Sequence, residues 1–200
     1  LTQRMFGTLA TSLAERAYYT MRLYEELSDV LDKTNQKELY RTIEFPLCRV
    51  LFEIEREGFT VDVPALKAFS EKLGGMQNEY AKRIYREAGM EFNINSPKQL
   101  GTVLFEKMGF PHAKKTKSGY STSADILEKL RPYHPIIGDI LDFRQVGKLK
   151  STYADGLSAA ADENGRVHTS FRQALTATGR LSSIEPNLQN IPVKTELGRE

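Results

Sequence analysis

The chain has one cysteine among 200 residues, Cys48, which excludes an internal disulfide. Cys48 lies in an apolar helical pattern and is expected to be a small buried hydrophobe rather than a nucleophile or a ligand. No apolar run approaches the roughly 18 residues of a membrane-spanning helix, and no basic-then-apolar leader pattern opens the chain. The expectation is a cytoplasmic protein with no membrane partner. An excess of one charge is also missing: 28 Lys and Arg face 26 Asp and Glu, for a net charge of +2. Total charge therefore selects no partner, and only its distribution along the chain can do so.

Several chemistries are missing too. There is no phosphate-cradling GxxxxGK, no HExxH, no CxxC and no GxSxG. His112, His134 and His168 are scattered without metal-ligand spacing. Glu53, Glu55 and Glu57 spread around a helix and read as a solvated face. Asp139 and Asp142 could share a helical face, but surface acids are common on helices. No catalytic residue and no metal ligand is assigned. No internal repeat or low-complexity tract is present.

What the chain does have is helical periodicity. Hydrophobic residues make up 40% of it, enough for a core in one domain or two small ones. Leu9, Leu13, Ala17, Met21, Tyr24, Leu27 and Leu31 line one face of a helix expected over 4–31. After a polar break, Pro46 is expected to start a second helix with Leu47, Val50, Leu51 and Ile54 on one face, ended by Gly58. Residues 59–61 form a short extended link. Asp62 can cap a long helix over about 63–88, with Pro64 in its first turn. The Gly74-Gly75 pair should weaken or bend it, each glycine costing about 1 kcal/mol against alanine. In EFNINSPKQLGTVLFEKMGF, Ser96, Pro97 and Gln99 predict a capping box, and Gly109 a stop. PHAKKTKSGYS reads as a loop, and Ser123 as the cap of a further short helix. A last helix spans about 135–157. RVHTSF alternates as a strand, with Val167, Thr169 and Phe171 on one side and His168, Ser170 and Arg172 on the other.

The fold class expected is mainly α: two long antiparallel helices carrying a small helical tip, then the first strand or strands of a truncated α+β unit. A start at Leu1 and a stop in mid-pattern at Glu200 read as an excised piece of something longer.

Three stretches have the equipment for nucleic acid. Lys107, Lys114, Lys115 and Lys117 lie in a run, 107–117, without an acid. A cationic loop tip suits phosphates, and an ordinary solvated loop looks the same. In FRQVGKLKSTY, Arg144 and Lys148 stand four apart on one helical face, roughly opposite Val146, Leu149 and Tyr153. They are expected to point outward with Ser151 nearby, as a backbone clamp. TATGRLSSIEPNLQNIP, residues 176–192, places Arg180 after Gly179 and adds Ser182, Ser183, Asn187, Gln189 and Asn190 between breakers. Such donors suit a minor groove, whose acceptors recur at every base pair. The alternative is that the amides satisfy backbone groups of a long loop; both readings stand.

TATGRLSSIEPNLQNIP closely resembles the stretch that leads from thumb into palm in family A DNA polymerases. GKLKSTYADGL resembles the preceding thumb helix, FNINSPKQLGTVLFEKMG the thumb tip, and EREGFTVD the link into the thumb. The resemblance runs in order across the chain. It implies the end of an exonuclease-like domain at 1–32, a connection at 33–62, a thumb at 63–160 and the start of a palm at 161–200. By resemblance, Arg180 would hydrogen-bond near the terminal base pair, and Asn187, Gln189 and Asn190 would lie close to the template and primer strands, while the Ser182 hydroxyl can donate to a phosphate. Arg144, Lys148 and Ser151 would contact backbone from the thumb helix, and Asn93, Asn95 and Ser96 from the tip, with Lys114, Lys115 and Lys117 nearby.

The implied partner is a primer–template duplex, gripped during DNA replication and repair by a monomeric bacterial enzyme in the cytoplasm, at the nucleoid. Deoxynucleotides and Mg2+ would serve only the parent enzyme. Its DYSQIELR-like metal-binding motif would begin after residue 200, so this segment alone is expected to be inert. A helical scaffold that binds a protein and never touches DNA is the alternative.

Overall fold

Gly7 decides where the first long helix can begin. The computed structural model describes residues 2–111, 115–116, 119–192 and 196–199. With φ at +70°, Gly7 turns the chain out of the short helix α1 (Thr2–Phe6). Helix α2 (Leu13–Lys33) then starts at Ser12, whose side chain accepts from the Glu15 N–H while the Glu15 carboxylate accepts from the Ser12 N–H. The single helix expected over 4–31 is therefore two, and Leu9 sits in the break. The capping box restarts the helix where apolar spacing alone showed no seam.

The second helical run also departs from expectation. It begins at Lys37, not at Pro46: α3 (Lys37–Leu39), a π-helical turn at Tyr40–Glu44, then α4 (Phe45–Glu57). The widened turn lies just before Pro46, whose ring and missing N–H disfavour an ordinary α-helical turn there. Cys48 is exposed rather than buried; its Sγ donates to the Glu44 carbonyl at 3.4 Å and to Gln173 Oε1 at 3.0 Å. Of the expected apolar face, Leu51 is buried while Val50 and Ile54 are exposed. Periodicity says which side chains share a face but not what covers it.

Beyond α4, β1 (Phe59–Thr60) is the expected link, and α5 (Val63–Ala88) the expected long helix. Asp62 Oδ1 accepts from the Ala65 N–H at 2.9 Å. Gly89, in the left-handed region, ends the helix. Gly74 and Gly75 do not interrupt it, because packing along the helix outweighs two weak propensities.

Helix α6 (Pro97–Gly101) continues into a π-helical turn, Thr102–Lys107. Ser96 Oγ accepts from the Gln99 N–H, but Gln99 Oε1 accepts from the Asn93 N–H at 2.8 Å, so the expected capping box is only half formed. The Ser96 N–H is already taken by the Asn93 carbonyl. The lysine loop contains a short ladder, β2 (Lys115–Thr116) paired antiparallel with β3 (Gly119–Tyr120). Ser123 precedes α7 (Ala124–Leu130) as expected, but its side chain makes no cap hydrogen bond; its Oγ accepts from Ser121 instead.

The last helical run is α8 (Ile136–Lys148), a π-helical turn at Leu149–Asp155 and α9 (Gly156–Ala160). The strand expected over RVHTSF is split into β4 (Arg166–Val167), antiparallel to β1, and β5 (Ser170–Arg172), a neighbour of β6 (Ser182–Ile184). Its two halves serve different partners. Between them the Thr169 hydroxyl donates to the Ile184 and Pro186 carbonyls. Alternation holds over the first half, where Val167 and Thr169 are buried and His168 is exposed, but not in β5, where Ser170 and Phe171 are both half-buried.

The described chain is mainly helical with short two-stranded sheets. It forms two compact units, 1–57 with 171–182, and 58–170 with 183–200. In the first, the Phe171 N–H donates to Glu55 and Gln173 Nε2 to the Glu44 carbonyl, both on the run that ends in α4. In the second, α5 and α8 lie antiparallel: Arg83 meets Asp139, and Ser70 meets Lys150 and Asp155. One end of that pair packs the tip around Ile84, Leu100, Leu104, Leu127, Ile137 and Ile140. The other packs Leu73, Val146, Leu149, Tyr153, Leu157 and Val167.

Candidate nucleic-acid interface

Arg144 and Lys148 share a face of α8, as their spacing requires, but the structure treats them differently. Lys148 is exposed. Arg144 is half-buried, and its guanidinium donates to the Thr122 carbonyl at 2.5 Å and to Thr122 Oγ1 at 3.1 Å. Burial pulls the Arg144 pKa down from its ordinary value; an arginine starts so high that it stays a cation. The expectation that both side chains point freely outward is corrected for Arg144. The segment before α7 lies over its end of the helix, which no spacing within α8 reveals.

Around this contact the tip forms a depression of about 430 Å³ lined by Asn95, Pro97, Tyr120, Ser121, Thr122, Ser123 and Arg144. Four consecutive hydroxyl-bearing residues, Tyr120 to Ser123, one amide and one guanidinium line it, and none of the described lining residues carries a carboxylate. Asn95 is exposed. Its neighbours are committed to the turn: Asn93 Oδ1 accepts from the Asn95 N–H at 3.0 Å, and Ser96 Oγ from the Gln99 N–H at 3.4 Å. Lys114 and Lys117 lie outside the described residues, and Lys115 contributes its backbone to β2.

One turn further along α8, Lys148 and Asn190 line a second depression of about 240 Å³ with Gln145, Leu149, Tyr153 and Pro192. Again none of the described lining residues carries a carboxylate. The Tyr153 hydroxyl donates to the Asn190 carbonyl and fixes that end of the loop. Ser151 is exposed in the π-helical turn that follows α8.

The amide-rich loop braces itself. Gln189 Oε1 accepts from the Ser183 N–H at 2.9 Å, Ser183 Oγ from the Leu188 N–H at 2.8 Å, and Asn187 Oδ1 from the Gln189 N–H at 2.9 Å. The oxygens of Asn187 and Gln189 thus do satisfy backbone groups, as the bland alternative held. The Asn190 residue is exposed. In the other unit, Arg180 is exposed and follows Gly179 at φ +73°, a conformation glycine adopts without strain. Its carbonyl accepts from Thr176 Oγ1 at 2.7 Å. Ser182 is half-buried at the start of β6.

The residues present do not fit a two-metal centre. Among the described residues no group of three or more His, Cys, Asp or Glu side chains could hold a metal ion. Asp139 is engaged by Arg83, whose Nε and Nη2 reach its carboxylate at 2.8–3.1 Å.

A sequence profile of DNA polymerase family A matches residues 63–200. The chain belongs to that family. It is 51% identical over 193 residues to DNA polymerase I of Bacillus subtilis (strain 168), covering 96% of this chain and 22% of that protein. To DNA polymerase I of Geobacillus stearothermophilus it is 52% identical over 194 residues, again 96% of this chain and 22% of the relative. The chain thus spans about a fifth of the length of the curated relatives it matches. Among solved structures, the POL domain of Pol1 from M. smegmatis in complex with DNA primer-template and dNTP superimposes with a TM-score of 0.91 at 37% identity. The match covers 99% of this chain and 36% of that one.

In this family A chain the sequence singled out the basic pair and the amides but passed over Tyr120, Ser121 and Thr122. The only local signal was the STS run ahead of α7, which read as a helix cap. The depression brings these residues to Arg144 from more than twenty positions away.

Proposed function

We propose that this chain is the duplex-gripping segment of a DNA-directed DNA polymerase, holding primer–template DNA by its backbone and minor groove. One observation carries the reading: the Arg144–Lys148 face of α8 joins two depressions, each with an amide at its edge and neither with a carboxylate among its described lining residues. Phosphates need cationic and neutral donors at successive points along a strand, without a carboxylate to repel them. The mycobacterial relative, described with primer-template and dNTP, supports the same partner.

On this reading 63–160 is the thumb, 161–200 the start of the palm, 1–32 the end of an exonuclease-like domain and 33–62 the connection. Asn95, Arg144, Lys148 and Ser151 meet backbone phosphates. Asn190, on a loop stiffened by Asn187, Gln189 and Ser183, works at the minor groove, and Arg180, in the other unit, is assigned to the primer end. Nucleotidyl transfer, with Mg2+ and deoxynucleotides, belongs to the full-length monomeric enzyme in the bacterial cytoplasm. On this reading the segment alone extends no primer, because among the described residues no cluster of Asp and Glu could hold the metals.

The test is anisotropy with a labelled primer–template of arbitrary sequence across a salt series. Binding that weakens steeply and linearly in log–log form, and does so alike for unrelated sequences, is expected. A folded chain that binds no duplex at low salt would overturn the proposal and leave a helical scaffold for a protein partner.

A further inference from the structure

Arg144 is held from outside its own helix. Thr122 is 4% exposed, and both its carbonyl and its hydroxyl receive hydrogens from the Arg144 guanidinium. An arginine carries five N–H groups in a rigid plane. With one hydrogen on each terminal nitrogen donated to Thr122, three remain, and the plane is fixed at the wall of the tip depression. The Thr122 segment is itself seated by close packing. A Cβ added at Gly101 would lie 2.9 Å from Tyr120 Cβ and 3.5 Å from the Tyr120 carbonyl oxygen. Only a glycine lets α6 and residue 120 approach so closely. The Tyr120 ring also packs on Phe105, with centroids 5.1 Å apart.

We infer that Thr122, seated through Gly101 and Tyr120, is a positioning residue that orients the Arg144 guanidinium toward a backbone phosphate. The inference rests on the duplex-binding proposal above. A free arginine side chain must lose rotamer entropy when it takes a phosphate. One already fixed by two hydrogen bonds has lost most of it on folding, so its remaining donors engage at lower cost. Gly101 acts at one remove, by admitting the segment that carries Thr122.

The experiment compares wild type, Thr122→Val, Thr122→Ser, Arg144→Ala and the Thr122→Val/Arg144→Ala double variant. Duplex affinity, its salt slope and thermal stability are measured for each. Thr122→Val is expected to weaken duplex binding by about 3- to 10-fold and to lower the salt slope by up to about one. Thr122→Ser, which keeps the oxygen, should bind like wild type. In the Arg144→Ala background, Thr122→Val should change neither affinity nor slope, because its effect passes through the missing guanidinium. An equal loss in both backgrounds, or a fall in melting temperature with affinity and slope unchanged, overturns the positioning role and leaves Thr122 as packing. If wild type itself binds no duplex, the duplex-binding proposal has failed and this inference falls with it. If wild type binds and Thr122→Val binds equally well, only the inference falls.

Discussion

Arg144→Ala and Lys148→Ala should separate two properties that helical spacing makes look alike. Both residues lie on one face of α8, and both are proposed to contact phosphates. Arg144 has partners inside the fold: the carbonyl and hydroxyl of Thr122, a residue 4% exposed. Truncating Arg144 leaves those two oxygens without their donor, at about 1–3 kcal/mol for unsatisfied buried polar groups. For a chain of this size each kcal/mol moves the melting temperature by about 2–4 °C, so a fall of about 2–12 °C is expected. Lys148 is exposed, and Lys148→Ala should stay within about 0.5 kcal/mol of wild type. In duplex binding each should lower the salt slope by about one. Circular-dichroism melts and anisotropy at several salt concentrations read both effects on the same preparations. Equal melting temperatures for Arg144→Ala and wild type would refute the structural half of the reasoning, since the Thr122 contact would then carry no stability. Unchanged affinity for both variants would refute the other half.

Helix α5 offers a second comparison: a Cβ at Gly75 meets nothing within 4 Å, whereas one at Gly74 touches Lys150 Cε at 3.4 Å. Gly75→Ala should therefore stabilise the chain by about 1 kcal/mol and Gly74→Ala by less, and urea titrations giving the reverse order would refute this. At the start of α2, Glu15 is held down to about 2 by the Ser12 backbone N–H first, then by the Thr11 N–H and hydroxyl. A carboxyl whose folded pKa lies below its unfolded one stabilises fully above the unfolded value and loses that contribution as pH falls through the folded one. The Glu15 carboxyl resonance should titrate near 2, and a midpoint near the ordinary 4.5 would show the cap to be open in solution. In the proposed full-length polymerase, Arg180→Ala should slow single-turnover extension by about 10- to 100-fold, as expected for one lost charged hydrogen bond of about 1.5–3 kcal/mol. The same change should leave the melting temperature unaltered, because Arg180 is exposed; a wild-type rate would confine it to its own loop.

What the sequence determined by itself was local. Asp62, Pro64, the apolar spacing from Leu66 to Ile84 and Gly89 delimit α5, because capping and periodicity act within a turn or two. The same holds for the alternation of Val167 and Thr169 and for the stop at Gly109. The family was legible as well, since its motifs are contiguous runs. Tertiary structure decided the rest. Cys48 sits in a sound apolar pattern yet is exposed, because its environment is set by what packs against α4. Gln99 has the capping-box spacing but bonds Asn93, whose turn places a competing N–H within reach. Asn187 and Gln189 could serve a ligand or a loop, and the fold commits their oxygens to the backbone. Arg144 and Lys148 are equivalent along the helix and differ only because the Thr122 segment, seated against Gly101, covers one of them. A spacing rule describes one element and its faces. Which face meets another element depends on contacts between residues far apart in the chain, and these exist only once it has folded.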